Sequence, residues 1–161
     1  MKAVKGLKPC LRIDDLLGHP ATVLEGEHDG LLLLVLDAPA LFDRPDAGGD
    51  TIRKGAFTAT LASADRLPFY WQHRSDQRIG WIERAEEDDT GLRVIATIDR
   101  PASRAAHLLA QGAVTGLSFG YRARRFRSMG RGRELTELDM REVSLVTHPM
   151  QADARVHLVT R

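Results

Sequence analysis

Three side chains in this sequence are of the types that cleave amide bonds when brought together. Ser118 stands between Gly116 and Gly120, His73 ends an apolar and aromatic run upstream, and Glu142 lies downstream among apolar residues. A serine hydroxyl attacks a carbonyl only when a base takes its proton. A neutral imidazole can be that base, and a carboxylate can orient it and stabilise the imidazolium as it forms. Each residue also has a plain reading. Glycine inside a strand marks a bulge or a crowded crossing, a histidine beside Phe69, Tyr70 and Trp71 can simply be packed, and Glu142 can pair with Arg141.

The spacing Gly116-Leu117-Ser118-Phe119-Gly120 matches the nucleophile elbow of α/β-hydrolases, where a strand turns sharply into a buried helix. The residues that follow exclude that geometry. Tyr121 to Arg127 carries four arginines where an elbow helix needs an apolar stripe, so the motif belongs in a strand. The chain is also too short for a hydrolase of that class. Its 161 residues fit one domain, and 43% hydrophobic content is enough for a core.

Charge and cysteine content remove further classes. With 23 Lys and Arg against 22 Asp and Glu, the net charge of +1 gives no global attraction to nucleic acid or membrane. One cysteine, Cys10, excludes an internal disulfide and cysteine-rich zinc sites, and the His and acidic residues show no metal-ligand spacing. No cofactor is implied. The longest apolar run, Leu31 to Leu36, is far below membrane-spanning length.

The elements that must position these side chains are mostly short strands. Residues 1–20 read as an irregular N-terminal arm, and 21–161 as a single domain. Strands are expected at Ala21 to Glu25, then at Leu31 to Leu36 as its hairpin partner. Further strands are expected at Leu67 to His73, Arg78 to Ala85, Gly91 to Asp99, Val114 to Arg127, Arg133 to Thr147 and Ala154 to Val159. Asp43 to Asp50 reads as a loop. Helices are expected at Gly55 to Ala64 and at Pro101 to Gln111, the latter with Pro101 as start signal and Gly112 as stop. The order predicts an α+β protein, a small closed or nearly closed antiparallel β-barrel flanked by a few helices.

Five phrases in one order carry a more specific signal. They are Gly48 to Phe57, Trp71-Gln72-His73 with Arg78-Ile79-Gly80-Trp81, Thr90-Gly91-Leu92, Gly116 to Tyr121, and Glu142 to Met150. In these the chain resembles the prohead (capsid maturation) serine proteases of tailed phages, related in fold to herpesvirus assemblin. The resemblance implies a serine endopeptidase on a herpesvirus-protease-like barrel. It would cleave scaffold and major capsid protein segments, and itself, inside the assembling prohead in the cytoplasm of a bacterial host, and homo-oligomers are part of that picture. The family's serine falls on Ser118 and its histidine on His73. In the herpesvirus relatives the third member is a second histidine, so Asp139 and His148 stand as alternatives to Glu142. Strict alternation along the strand places Glu142 and Ser144 on one face and Asp139 on the other, which favours Glu142. The oxyanion donors stay open between backbone amides near Phe119 and those around Pro149 and Met150.

Six arginines, Arg122, Arg124, Arg125, Arg127, Arg131 and Arg133, crowd the hairpin that follows Ser118. They read as a solvated charged hairpin or as a clamp for acidic scaffold segments. Nucleic acid is the lowest-ranked partner, because only Tyr121 and Phe126 are near enough to stack on bases. A protein that keeps the fold and binds scaffold or shell subunits without catalysis is the alternative function.

Overall fold

The computed structural model describes residues 32–63, 65–100 and 102–160, with side chains from residue 40 to 156. The expected arm over 1–20, the strand at Ala21 to Glu25 and its hairpin turn lie outside the described residues. Eight strands form one sheet: β1 (Leu32–Leu41), β2 (Thr51–Ile52), β3 (Pro68–Trp71), β4 (Arg74–Glu87), β5 (Gly91–Ile98), β6 (Gly116–Met129), β7 (Gly132–Val146) and β8 (Arg155–Thr160). Two short helices, α1 (Thr58–Ala62) and α2 (Arg104–Ala110), lie between them.

The pairings run in a circuit. β7 pairs β3, followed by β4, β5, β1, β8 and β6, and β6 pairs β7 again, while β2 adds to β7. This is the nearly closed barrel expected. It is antiparallel except where β7 meets β2 and β3, both of which run parallel to it. The circuit is uneven in strength. β6 and β7 pair along almost their whole length, whereas β8 meets β6 at the single pair Gly116 and Arg155. β1 pairs β5 and β8, so its described partners differ from the 21–25 strand expected for it.

Alternation fills the barrel. Leu92, Val94, Ala96 and Ile98 of β5 are 1% exposed or less, and so are Leu135, Leu138, Val143 and Leu145 of β7. Phe57, fully buried just before α1, packs edge-on against Phe119 at 5.5 Å between ring centroids and contacts Phe42 at 6.4 Å. Glu87 holds this corner in place by accepting the backbone N–H groups of Gly55 and Phe57. Helix α2 starts where Ser103 accepts the Ala106 N–H and ends at Gly112, whose φ of +68° no side chain favours.

The strand β2 was not anticipated, because a two-residue strand carries no periodicity. The third expected strand also ends early. β3 stops at Trp71 and β4 begins at Arg74, leaving Gln72 and His73 as a two-residue hairpin turn. Replacing Phe57 with Ala should destabilise the domain by about 3–5 kcal/mol, measured by urea denaturation. A change below about 1 kcal/mol would show that the Phe57 and Phe119 contact does not anchor β6, the strand of Ser118.

Candidate active site

Register on β6 and β7 decides which side chains meet. Ser118 lies directly opposite Ser144, and Gly120 opposite Glu142. Paired residues in an antiparallel ladder point to the same face with Cβ atoms about 5 Å apart. Ser118, Ser144 and Glu142 therefore share one face. β3 runs parallel along the other edge of β7, with Tyr70 beside Ser144 and Trp71 beside Leu145, and so delivers the Gln72-His73 turn to this face.

Both turn residues have positive φ, +54° at Gln72 and +59° at His73. Two left-handed central residues give the twist that a two-residue hairpin needs, but without glycine or asparagine the conformation is strained. The surroundings hold it. The Gln72 N–H donates to the Leu145 carbonyl at 3.0 Å, and the His73 N–H donates to Ser144 Oγ at 3.2 Å. On the ring, His73 Nδ1 lies 2.6 Å from Glu142 Oε1, and the Ser144 hydroxyl donates to Glu142 Oε2 at 2.5 Å.

The chemistry of that arrangement follows from its geometry. Glu142 is 8% exposed and accepts the hydrogen bond of His73 Nδ1–H, which fixes the neutral tautomer and leaves Nε2 as the basic nitrogen. The hydrogen bond to Glu142 raises the His73 pKa above 6.5, against partial burial of the ring, and the carboxylate's charge adds to the rise. A raised folded pKa stabilises the fold fully below pH about 6.5 and is lost as pH climbs through the folded value.

The two glycines have separate physical reasons. A Cβ on Gly120 would sit 2.5 Å from Glu142 Oε1, so the missing side chain is the space the carboxylate occupies. A Cβ on Gly116 would meet the Val146 carbonyl at 2.6 Å and the Pro149 ring at 2.9 Å, which is crowding at the strand end. Ser118 itself is 4% exposed, and among the described residues nothing hydrogen-bonds its hydroxyl, His73 included. In unliganded enzymes such contacts commonly tighten only when substrate is bound. A cavity of about 120 Å³ opens beside Ser118, walled by Asp46, Asp50, Phe119, Tyr121 and Met150. A larger one, about 570 Å³ between α1 and β7, touches none of Ser118, His73 and Glu142.

The alternatives for the third position lie elsewhere. The expectation that Asp139 faces away from Glu142 is corrected by the register. Arg141 is an extra residue on β7, since Tyr121 pairs Met140 while Gly120 pairs Glu142, and this bulge puts Asp139 on the same face. Its carboxylate is instead engaged by Arg124 at 2.9 Å and Arg141 at 2.8 Å. His148 is exposed beyond the end of β7, with its Nδ1 3.0 Å from Thr147 Oγ1. Alternation in the sequence gives Ser144 a face, that of Glu142, but no role of its own. Its signal was a hydroxyl at a position where the neighbours Val143 and Leu145 are apolar.

The arginine hairpin is largely neutralised internally. Arg124 pairs with Asp139, Arg125 with Glu137, Arg127 with Glu134 and Arg133 with Asp50. Asp50 also accepts the Tyr121 hydroxyl at 2.7 Å, and Arg133 holds its carboxyl below the usual carboxylate range. Arg122 and Arg131 stand outside these pairs. Among the described residues no cluster of His, Cys, Asp and Glu could hold a metal, and no helix is long and apolar enough to cross a membrane.

Comparison with known proteins adds four findings. The profile of the caudovirus prohead serine proteases matches residues 39–161. The prohead protease of Enterobacteria phage HK97 is 29% identical over 125 residues, 73% of this chain and 56% of that protein. Glycogen synthase of Rhizobium leguminosarum bv. trifolii is 56% identical over 45 residues, so the chain spans only 9% of that enzyme, too little for a catalytic domain. In fold the chain is similar to the KSHV protease solved with a hexapeptide phosphonate inhibitor. The TM-score is 0.58 at 15% identity, with 81% of this chain and 65% of that one covered.

Two substitutions test the geometry through the His73 titration followed by NMR. Glu142→Gln should bring the midpoint down toward the free value of 6.5, because it removes the charge and leaves only a neutral amide oxygen as acceptor. Gly120→Ala should lower it too, by forcing the carboxylate aside, while the circular dichroism spectrum stays unchanged. An unmoved midpoint in both would mean that Glu142 does not govern the ring.

Proposed function

The chain belongs to the caudovirus prohead serine protease family, and on that premise we propose that it is a serine endopeptidase in which Ser118 is the nucleophile, His73 the base and Glu142 the residue that orients it. The observation that carries the reading is the Glu142 carboxylate on His73 Nδ1, on the strand face that also bears Ser118. A carboxylate there leaves Nε2 free to take a proton.

The reaction then proceeds in two stages. Ser118 Oγ attacks the scissile carbonyl carbon as His73 Nε2 takes the hydroxyl proton. The imidazolium, stabilised by Glu142, gives that proton to the leaving amine nitrogen as the C–N bond breaks, and an ester to Ser118 remains. Water attacks the ester carbon, losing a proton to His73. The C–O bond to Ser118 breaks and the proton returns to its oxygen, regenerating the starting state.

The substrates in this reading are scaffold and capsid-protein segments of a prohead, together with the protein's own chain, and the place of action is the interior of the assembling shell. The family description and the likeness to a phage prohead protease support it. A second reading has one observation in its favour: Ser118 is buried and its hydroxyl is not bonded to His73. On that reading the domain binds scaffold or shell subunits without cleaving them.

Co-expression with the candidate capsid precursor separates the two. Mass spectrometry should find new termini with the wild-type protein and a loss of roughly a thousandfold or more with Ser118→Ala. Equal processing by Ser118→Ala would remove Ser118 from catalysis, and no processing by either would favour the binding module. The cleavage rate should rise with pH through the raised His73 pKa, because only the neutral ring accepts a proton. In Glu142→Gln that midpoint should lie lower, with a reduced plateau.

A further inference from the structure

We propose that Ser144 is a positioning residue of the cleavage site, whose hydroxyl locks the His73 and Glu142 pair in place opposite Ser118. The proposal rests on the reading of Ser118 and His73 as nucleophile and base. Ser144 is fully buried on β7 between Val143 and Leu145, which are equally buried and apolar. An apolar side chain would suit that setting, and a hydroxyl costs stability there unless it is hydrogen-bonded. Both of its capacities are used, and both on the same pair. Its proton goes to Glu142 Oε2, and its oxygen accepts the His73 backbone N–H.

The contacts close a ring. His73 gives its backbone N–H to Ser144, Ser144 gives its proton to Glu142, and Glu142 receives Nδ1–H from the same His73. One residue is therefore held twice, at its backbone and at its imidazole. The backbone hold acts on a turn whose residues sit at φ +54° and +59°, a conformation that relaxes unless its surroundings fix it. The side-chain hold sets the rotation of the carboxylate, and with it the direction of the ring. Ser144 is also the cross-strand partner of Ser118, so the residue that aims the base is aligned with the nucleophile by the sheet itself.

Removing the hydroxyl leaves Glu142 Oε2 and the His73 N–H without this partner. The carboxylate is then free to turn, and the imidazole loses a fixed approach to Ser118. Ser144 is buried beneath the site, so its loss acts on turnover rather than on substrate binding.

The test uses Ser144→Ala, Ser144→Cys, which keeps the volume with a poor donor, and Ser144→Thr, which keeps the hydroxyl. The substrate is a peptide copied from a capsid-precursor junction cut by the wild-type protein. Ala and Cys should lower kcat by roughly tenfold to a hundredfold with KM within about twofold, and Thr should restore most of the rate. The midpoint of the kcat profile should move to lower pH in the Ala and Cys variants. In a Ser118→Ala background, where no turnover occurs, the NMR titration of His73 should show the same downward movement when Ser144→Ala is added. Wild-type kcat in Ser144→Ala, or equal loss in Ala and Thr with an unmoved His73 titration, would overturn the proposal. If Ser118→Ala still cleaves, the reading of the nucleophile fails, and the His73 titration alone decides whether Ser144 holds the ring.

Discussion

Everything specific about this site depends on one buried carboxylate having the right two donors. Glu142 is nearly inaccessible to water, and a charge in that position is tolerable only when each oxygen is hydrogen-bonded. The donors come from different levels of the structure. Ser144 is two residues along the same strand, and His73 arrives from a parallel neighbour. The sheet must therefore bring β3 alongside β7 before the carboxylate can be satisfied. Gly120, across the ladder, supplies the empty volume into which the carboxylate lies.

That dependence explains why the barrel breaks its antiparallel pattern at β7. A strand delivering His73 from an antiparallel neighbour would place its turn at the opposite end of the ladder. The parallel register sets Phe69, Tyr70 and Trp71 beside Val143, Ser144 and Leu145, and the turn emerges at the level of Ser118. The bulge at Arg141 has a related effect. It resets the alternation of β7, so that Met140 and Val143 both fill the core while Glu142 still points to the site. The protease-like fold and the family membership are consistent with such a layout, although the likeness to the KSHV protease is one of fold alone.

Much of the architecture was legible in the sequence because alternation and turn residues are local signals. The described strands other than β2, both helices and the Gly112 stop could be read from periodicity and from single residues. The site was less legible where long-range register decides. His73 reads as the end of a strand, since the aromatic run continues into it, and only the tight closure of β3 onto β4 makes it a turn residue. Asp139 reads as facing away because counting by twos carries no information about an extra residue. The arginines read as free charge because their partners lie across the hairpin or, for Arg133, in the loop at Asp50, at positions fixed by the fold. Ser144 reads as sharing the face of Glu142 and no more, because a serine in an apolar strand names no partner until the neighbouring strand is in place.

The closure of the barrel at Gly116 and Arg155 gives the molecule a mechanical asymmetry. On one side β6 is fastened to β7 along its length. On the other, near Ser118, it is held by that single pair and the bonds from Leu117 to Ala154 and from Val156 to Thr115. Fluctuations that widen the barrel are cheapest where the fewest bonds must break. The seam therefore acts as a compliant joint beside a rigid anvil. Widening at that seam leaves the β6 and β7 ladder, and with it the placement of Ser118 opposite Ser144, intact.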